Sequence, residues 1–306
     1  MDMNSLLENC HLCPRECGVN RLVTTGFCDG GRLAKVALVS LHPWEEPLLT
    51  GEVGAGTVFF SGCNLHCLFC QNHEISQGGE GVEVTEEQLG EIFWQQQQRG
   101  AATLDLVTPT HYVPQIIQGI KLARQKGFSL PVVYNSSGYE KVETLAMLRG
   151  YVDVFLPDLK YFASELSGEY SQAQDYFAKA KEALQAMVDL VGPPVINEQG
   201  LLTKGVLVRH MVLPGARKDS QKLLAWLWQS FGDQVYLSLM NQYTPMYRAV
   251  GHPQLKRRLT TFEYQSVVDY ASELGFTQCL VQERSAATEN YVPDWDNNLV
   301  LPKESE

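Results

Sequence analysis

The sequence predicts an α/β fold, a partial (β/α)6 barrel carrying a Cys-rich N-terminal extension. Three observations lead there. From residue 57 onward, short apolar runs alternate with helical stripes, the pattern of parallel strands joined by right-handed crossovers. Six such units can be traced, which suits a partial barrel better than a full eightfold one. Seven of the eight cysteines fall in two groups, at 10, 13, 17 and 28 and at 63, 67 and 70, so the first group lies wholly ahead of the first predicted strand. The chain accordingly divides into an extension over 1–45 and a core domain over 46–306.

The extension reads as loop, punctuated by Pro14, Gly18, Gly26, Gly30, Gly31 and Pro43. Thr57-Val58-Phe59-Phe60 is a short apolar run, as expected of a strand buried on both faces. Thr85 and Gln88 have capping-box spacing, with Val84 and Leu89 placed to staple, so a helix should begin there and end near Gly100. Strands follow at 103–107, 132–134, 152–156, 205–213 and 235–239, with a last one at 277–281. Between them lie helices at 113–126, 140–148 and 220–230, and a long amphipathic one with Tyr176, Phe177, Ala180, Leu184, Met187 and Val188 on one face. Thr260 and Glu263 open the final helix with a second capping box.

Composition limits the function classes. Hydrophobic residues at 44% and charged residues at 19% describe a globular enzyme. A net charge of −11 argues against duplex nucleic acid as a partner. No apolar run approaches the ~20 residues that span a bilayer, so no membrane partner is expected. Residues 1–9 have neither a basic nor an apolar leader segment, which points to the cytoplasm. Thiols there stay reduced, and clustered cysteines in that setting indicate metal.

Ser61-Gly62-Cys63-Asn64-Leu65-His66-Cys67-Leu68-Phe69-Cys70 follows a predicted strand directly. It therefore sits in a loop at the strand's C-terminal end, where α/β barrels build active sites. Thiolates suit iron–sulfur clusters or zinc. Structural zinc normally has four protein ligands, and here three thiols would leave one iron of a cubane open. A zinc site completed by His66 or His73 is the alternative, and a non-catalytic iron–sulfur or zinc scaffold is the corresponding function.

Cys63-x3-Cys67-x-Phe69-Cys70 resembles the signature of the radical S-adenosylmethionine superfamily. The resemblance implies a [4Fe–4S] cluster on Cys63, Cys67 and Cys70 as the catalytic and metal-binding residues. It also implies S-adenosylmethionine on the open iron, with Phe69 beside the adenine. Reductive cleavage to a 5′-deoxyadenosyl radical and hydrogen abstraction would follow, fed by a flavodoxin- or ferredoxin-type donor. Residues 57–240 further resemble the pyruvate formate-lyase activating enzyme and its relatives, through Cys70-Gln71-Asn72, Val154 to Lys160 and Arg209 to Gly215. That likeness places Lys160 at the methionine carboxylate, His210 along the adenosine, and Asn135 and Ser137 near the ribose. Where the activating enzymes carry Gly-Gly-Glu for the methionine amino group, this chain has Thr108-Pro109-Thr110-His111-Tyr112, so Thr108, Thr110 or backbone carbonyls take that role. Gly78-Gly79-Glu80 precedes a helix and reads as a loop coincidence. The implied substrate is a glycine of a partner enzyme or an unknown small molecule.

Cys10-x2-Cys13, Cys17 and Cys28 form a four-thiol set with metal-like spacing, able to close a second cluster or a zinc ion; four reduced structural thiols are the bland alternative. Arg209 and His210 must face opposite sides of their strand. His111 and Tyr112, Glu45 or Glu46, and Asn241, Tyr243 and Tyr247 all lie near predicted strand ends and are further candidates for the pocket. Cys279 reads as a small buried hydrophobe.

Overall fold

The computed structural model describes residues 3–283. In chain order its elements begin with α1 (Met3–Glu8), β1 (Ala34–His42), α2 (Pro47–Thr50), β2 (Ala55–Phe60), α3 (His73–Ser76) and β3 (Val82–Val84). Next come α4 (Glu86–Gln98), β4 (Leu104–Val107), α5 (Val113–Gln125), β5 (Val132–Ser136), α6 (Val142–Met147) and β6 (Val154–Pro157). The remainder is α7 (Ser164–Ser171), α8 (Tyr176–Val191), β7 (Val195–Ile196), β8 (Leu202–Met211), α9 (Arg217–Phe231), β9 (Tyr236–Met240), α10 (Thr261–Leu274) and β10 (Cys279–Val281).

One open sheet runs β10-β9-β8-β6-β5-β4-β2-β1-β3, with β7 paired beside β8. Every neighbouring pair from β2 through β10 along that path is parallel. This is the expected mostly parallel α/β sheet of a partial barrel. β1 and β3 add an antiparallel edge. Each parallel strand hands over to a helical crossover, so the C-terminal strand ends gather on one rim.

Both capping boxes form: Thr85 accepts from Gln88 N and Thr260 from Glu263 N, with the reciprocal side-chain bonds in place. Such a cap contributes about 1 kcal/mol. Val84 and Leu89 are both buried, consistent with the staple. The apolar face of α8 is buried as its periodicity predicts, except that Phe177 is only half-buried. Val58, Leu104, Leu106 and Val132 lie fully buried along the parallel strands, the two-sided burial that their continuous apolar character implies.

The main departure is β1, inside the stretch read as loop. Nine residues there pair with both β2 and β3. Gly30 and Gly31 before it and Pro43 after it give the segment a loop-like local pattern. Its extended form is supplied by long-range pairing, which a local pattern registers poorly. No described helix is long and apolar enough to cross a membrane.

Candidate active site

The loop after β2 is shaped by one close approach. Gly62 has φ +86°, and a Cβ there would stand 2.0 Å from the Cys28 carbonyl oxygen, so only glycine fits. Asn64 is fully buried and donates to Tyr139 O at 2.7 Å, while Ser137 Oγ donates to Asn64 Oδ1 at 3.2 Å. Leu68 N donates to Tyr170 O at 2.8 Å. These bonds pin both shoulders of the loop, and its thiols turn inward between them.

The three thiols line one wall of a cavity of about 750 Å³, a volume typical of sites that enclose a cofactor. Burial pushes the Cys63 thiol up to about 12, with Cys67 and Cys70 adding to the shift. Burial likewise pushes Cys70 up to about 11, again helped by Cys67. The Cys63 and Cys70 sulfurs therefore resist ionisation until a metal supplies positive charge. Hydroxyls attend two of the three thiols: Ser171 Oγ donates to Cys67 Sγ at 2.9 Å, and Ser76 Oγ lies 3.3 Å from Cys70 Sγ. Phe69 also lines the cavity, edge-on to Tyr243 at 6.0 Å.

The same cavity is lined by a charged network. Lys160 Nζ donates to Asp158 Oδ2 at 2.6 Å, and Arg209 Nε to Asp158 Oδ1 at 3.0 Å. Arg209 also donates to Asn135 Oδ1 at 2.6 Å and to Glu45 Oε1 at 3.3 Å. Asn135 in turn donates to Glu45 and to the fully buried Asp105. Burial opposes the Lys160 charge, but Asp158 and the Cys67 sulfur outweigh it and hold its pKa above the ordinary value. Burial pushes Asp158 up, yet Lys160 and Arg209 pull it below the usual carboxylate range. Asp105 is driven well above that range by burial and then by Glu45. Glu46 is pushed up to about 7, by burial first and Glu45 second.

Of the residues singled out from sequence, Cys63, Cys67, Cys70, Phe69, Thr108, Asn135, Ser137 and Lys160 line the cavity together. Thr108 does so with φ +58°, a left-handed backbone at the end of β4. Two expected contacts do not reach it. His210 points to the helical side of β8, its Nδ1 against Leu159 O at 2.6 Å and Nε2 against Ser220 Oγ at 2.8 Å. Alternation along the strand gives the cavity to Arg209 instead. Thr110 is buried in a single 3₁₀ turn and donates to Glu140 Oε1 at 2.6 Å. His111 and Tyr112 are packed inside rather than at the mouth. Tyr243 and Tyr247 pack on Phe69 and His73. Glu45 and Glu46 both face the cavity. Asp105 and Asp158 join the site without a motif of their own: the signal for Asp105 is a carboxylate inside the apolar run of β4, and Asp158 lies within the Val154 to Lys160 segment. Cys279 is partly exposed.

Residues 57–227 match the sequence family described as the radical SAM superfamily. The chain belongs to that superfamily. Membership implies a [4Fe–4S] cluster and S-adenosylmethionine as cofactors, and radical chemistry as the class of reaction. The donor set of this radical SAM protein fits such a cluster: three thiols, Cys67 buried and Cys63 and Cys70 partly so, lining a cavity of cofactor size. By sequence it is similar to the uncharacterized protein MJ0674 of Methanocaldococcus jannaschii, 29% identical over 281 residues covering 88% of this chain and 76% of that protein. Among solved structures it is similar to Streptococcus suis SuiB bound to the precursor peptide SuiA, with TM-score 0.48 and 14% identity over 72% of this chain and 46% of SuiB. It is also similar to anSMEcpe with bound AdoMet, with TM-score 0.48 and 13% identity over 72% of this chain and 61% of that one. The chain thus spans roughly half the length of these solved relatives.

Proposed function

We propose that Cys63, Cys67 and Cys70 ligate the [4Fe–4S] cluster and that the protein reductively cleaves S-adenosylmethionine in the cavity beside them. The observation that carries this reading is the joint placement of three inward thiols and the Lys160–Asp158 pair on the walls of one cavity. When bound, the cluster and S-adenosylmethionine would supply one-electron reductive cleavage and hydrogen-atom abstraction from substrate. The chain's own residues bind and orient. Lys160, kept charged by Asp158, meets the methionine carboxylate. Phe69 packs on the adenine, and Asn135 and Ser137 offer amide and hydroxyl groups to the ribose. Thr108, turned inward by its left-handed backbone, is the surviving side-chain candidate for the methionine amino group. Glu45, Glu46 and Arg209 form the floor against which a substrate would rest.

The finer reading is an activase-like oxidoreductase that abstracts hydrogen from a glycine of a partner enzyme, supplied with electrons by a flavodoxin- or ferredoxin-type protein. It is supported by the likeness of Cys70-Gln71-Asn72 and the Val154 to Lys160 segment to the activating enzymes. The test is to mix reduced holoprotein, S-adenosylmethionine and candidate partner enzymes, and to record spin resonance alongside 5′-deoxyadenosine. A stable carbon-centred doublet formed in step with 5′-deoxyadenosine supports activation. 5′-Deoxyadenosine without a doublet from any candidate removes the glycine substrate and leaves the cleavage reaction standing.

A further inference from the structure

The four N-terminal thiols are gathered by backbone bonds rather than scattered. Cys10 N donates to Val19 O and Gly18 N to Cys10 O, both at 3.0 Å. This clamp brings Cys17 alongside, its Sγ 3.9 Å from the Cys10 carbonyl. Gly26 closes on the same sulfur, since a Cβ there would stand 2.9 Å from Cys17 Sγ. A turn from Asp29 N to Gly26 O then presents Cys28. Cys13 lies within electrostatic reach of Cys10 and Cys28, and Cys28 within reach of Cys10 and Cys17. Cys10, Cys13 and Cys28 are buried, and Cys17 faces solvent.

A second, independent observation concerns charge. Arg21 is only 1% exposed. Its guanidinium donates to the carbonyls of Gly30 at 2.9 Å, Gly31 at 2.8 Å and His111 at 2.5 Å, and reaches Cys10 Sγ at 3.9 Å. Among the described residues no carboxylate forms an ion pair with it. A buried cation without an anion is costly, and protonated thiols do nothing to offset it. Thiolates on a metal centre would. Four cysteine thiolates are a ligand set of iron–sulfur clusters as well as of structural zinc, and the metal content decides between them.

We propose that Cys10, Cys13, Cys17 and Cys28 hold a second iron–sulfur cluster, with Arg21 as its buried counter-cation. The site abuts the Cys63–Cys70 loop. Cys28 O lies against Gly62, Arg15 Nε donates to Asn64 O at 2.9 Å, and Phe27 stacks on His66 at 4.2 Å. With Cys17 outermost, the cluster stands between solvent and the catalytic loop. This inference rests on its own residues and survives or fails apart from the proposed reaction.

The test uses the full chain reconstituted anaerobically with iron and sulfide. The variant Cys63→Ala/Cys67→Ala/Cys70→Ala should keep about four irons per chain against about eight in wild type. The complementary variant Cys10→Ala/Cys13→Ala/Cys28→Ala should lose the other set, with circular dichroism reporting whether it folds. Should it not fold, Arg21→Met decides. Its remaining second cluster, read in the Cys63/Cys67/Cys70 variant background, should show a more negative midpoint potential because a nearby positive charge is gone. Zinc in place of iron, or no metal at all in a folded Cys63/Cys67/Cys70 variant, overturns the proposal while leaving the first cluster untouched.

Discussion

The two walls of the cavity are built by opposite rules. The thiol wall comes from eight consecutive residues, Cys63 to Cys70, and burial keeps the Cys63 and Cys70 thiols protonated until a metal supplies positive charge. The charged wall comes from side chains on or next to β1, β4, β5, β6 and β8, and its ion pairs are already formed. One wall waits for its cofactor. The other is organised before anything binds, which is what a surface that must orient a ligand requires.

The contrast can be broken most severely at Arg209. Arg209→Met would leave Asp158, Glu45 and Asn135 without their common donor, and stranding buried charges costs about 3–5 kcal/mol. Denaturant titration should show a loss of that order. A loss below about 1 kcal/mol, the range of exposed pairs, would mean that the wall is not preorganised by this residue.

Glu46 gives a smaller effect with a definite sign. Its folded pKa, about 7, lies above the ordinary 4.5. The folded state therefore holds the proton more tightly, and the associated stability is fully present below pH 4.5 and lost as pH rises through 7. At roughly 1.4 kcal/mol per pH unit between 4.5 and about 7, the loss is on the order of 3–4 kcal/mol. Glu46→Gln should flatten the fall in melting temperature between pH 5 and pH 8. An unchanged slope would place the titration elsewhere.

Lys160→Met probes the point where the walls meet. Losing a charged hydrogen bond worth about 1.5–3 kcal/mol should weaken S-adenosylmethionine binding by roughly 10–100-fold. Isothermal titration on the cluster-loaded protein reads this directly, and equal affinity would take Lys160 off the methionine carboxylate. Ser171→Ala is the mildest change. Removing the hydroxyl from Cys67 Sγ should move the first cluster to a more negative potential while cleavage persists. A midpoint that does not move would mean that this bond leaves the cluster's electronics alone.

The same contrast explains what was readable in advance. Cys63, Cys67 and Cys70 carry their meaning in spacing, and Thr85 and Thr260 carry theirs in a bond to a residue three positions away. Local chemistry of this kind survives translation into one dimension. The placement of Arg209 and His210 does not, because alternation states that they diverge without saying which one faces the cavity. Thr110 was misplaced for a similar reason: the 3₁₀ turn after Pro109 rotates it toward Glu140. β1 owes its form to partners on both sides, and Asp105 owes its environment to Glu45, sixty positions earlier in the chain.

The most direct measurement is 5′-deoxyadenosine formation by anaerobically reconstituted, reduced wild type and Cys67→Ala given S-adenosylmethionine. The account predicts product from wild type and none above background from Cys67→Ala. A wild type that carries its cluster and makes no 5′-deoxyadenosine, or a Cys67→Ala variant that makes as much as wild type, would contradict it.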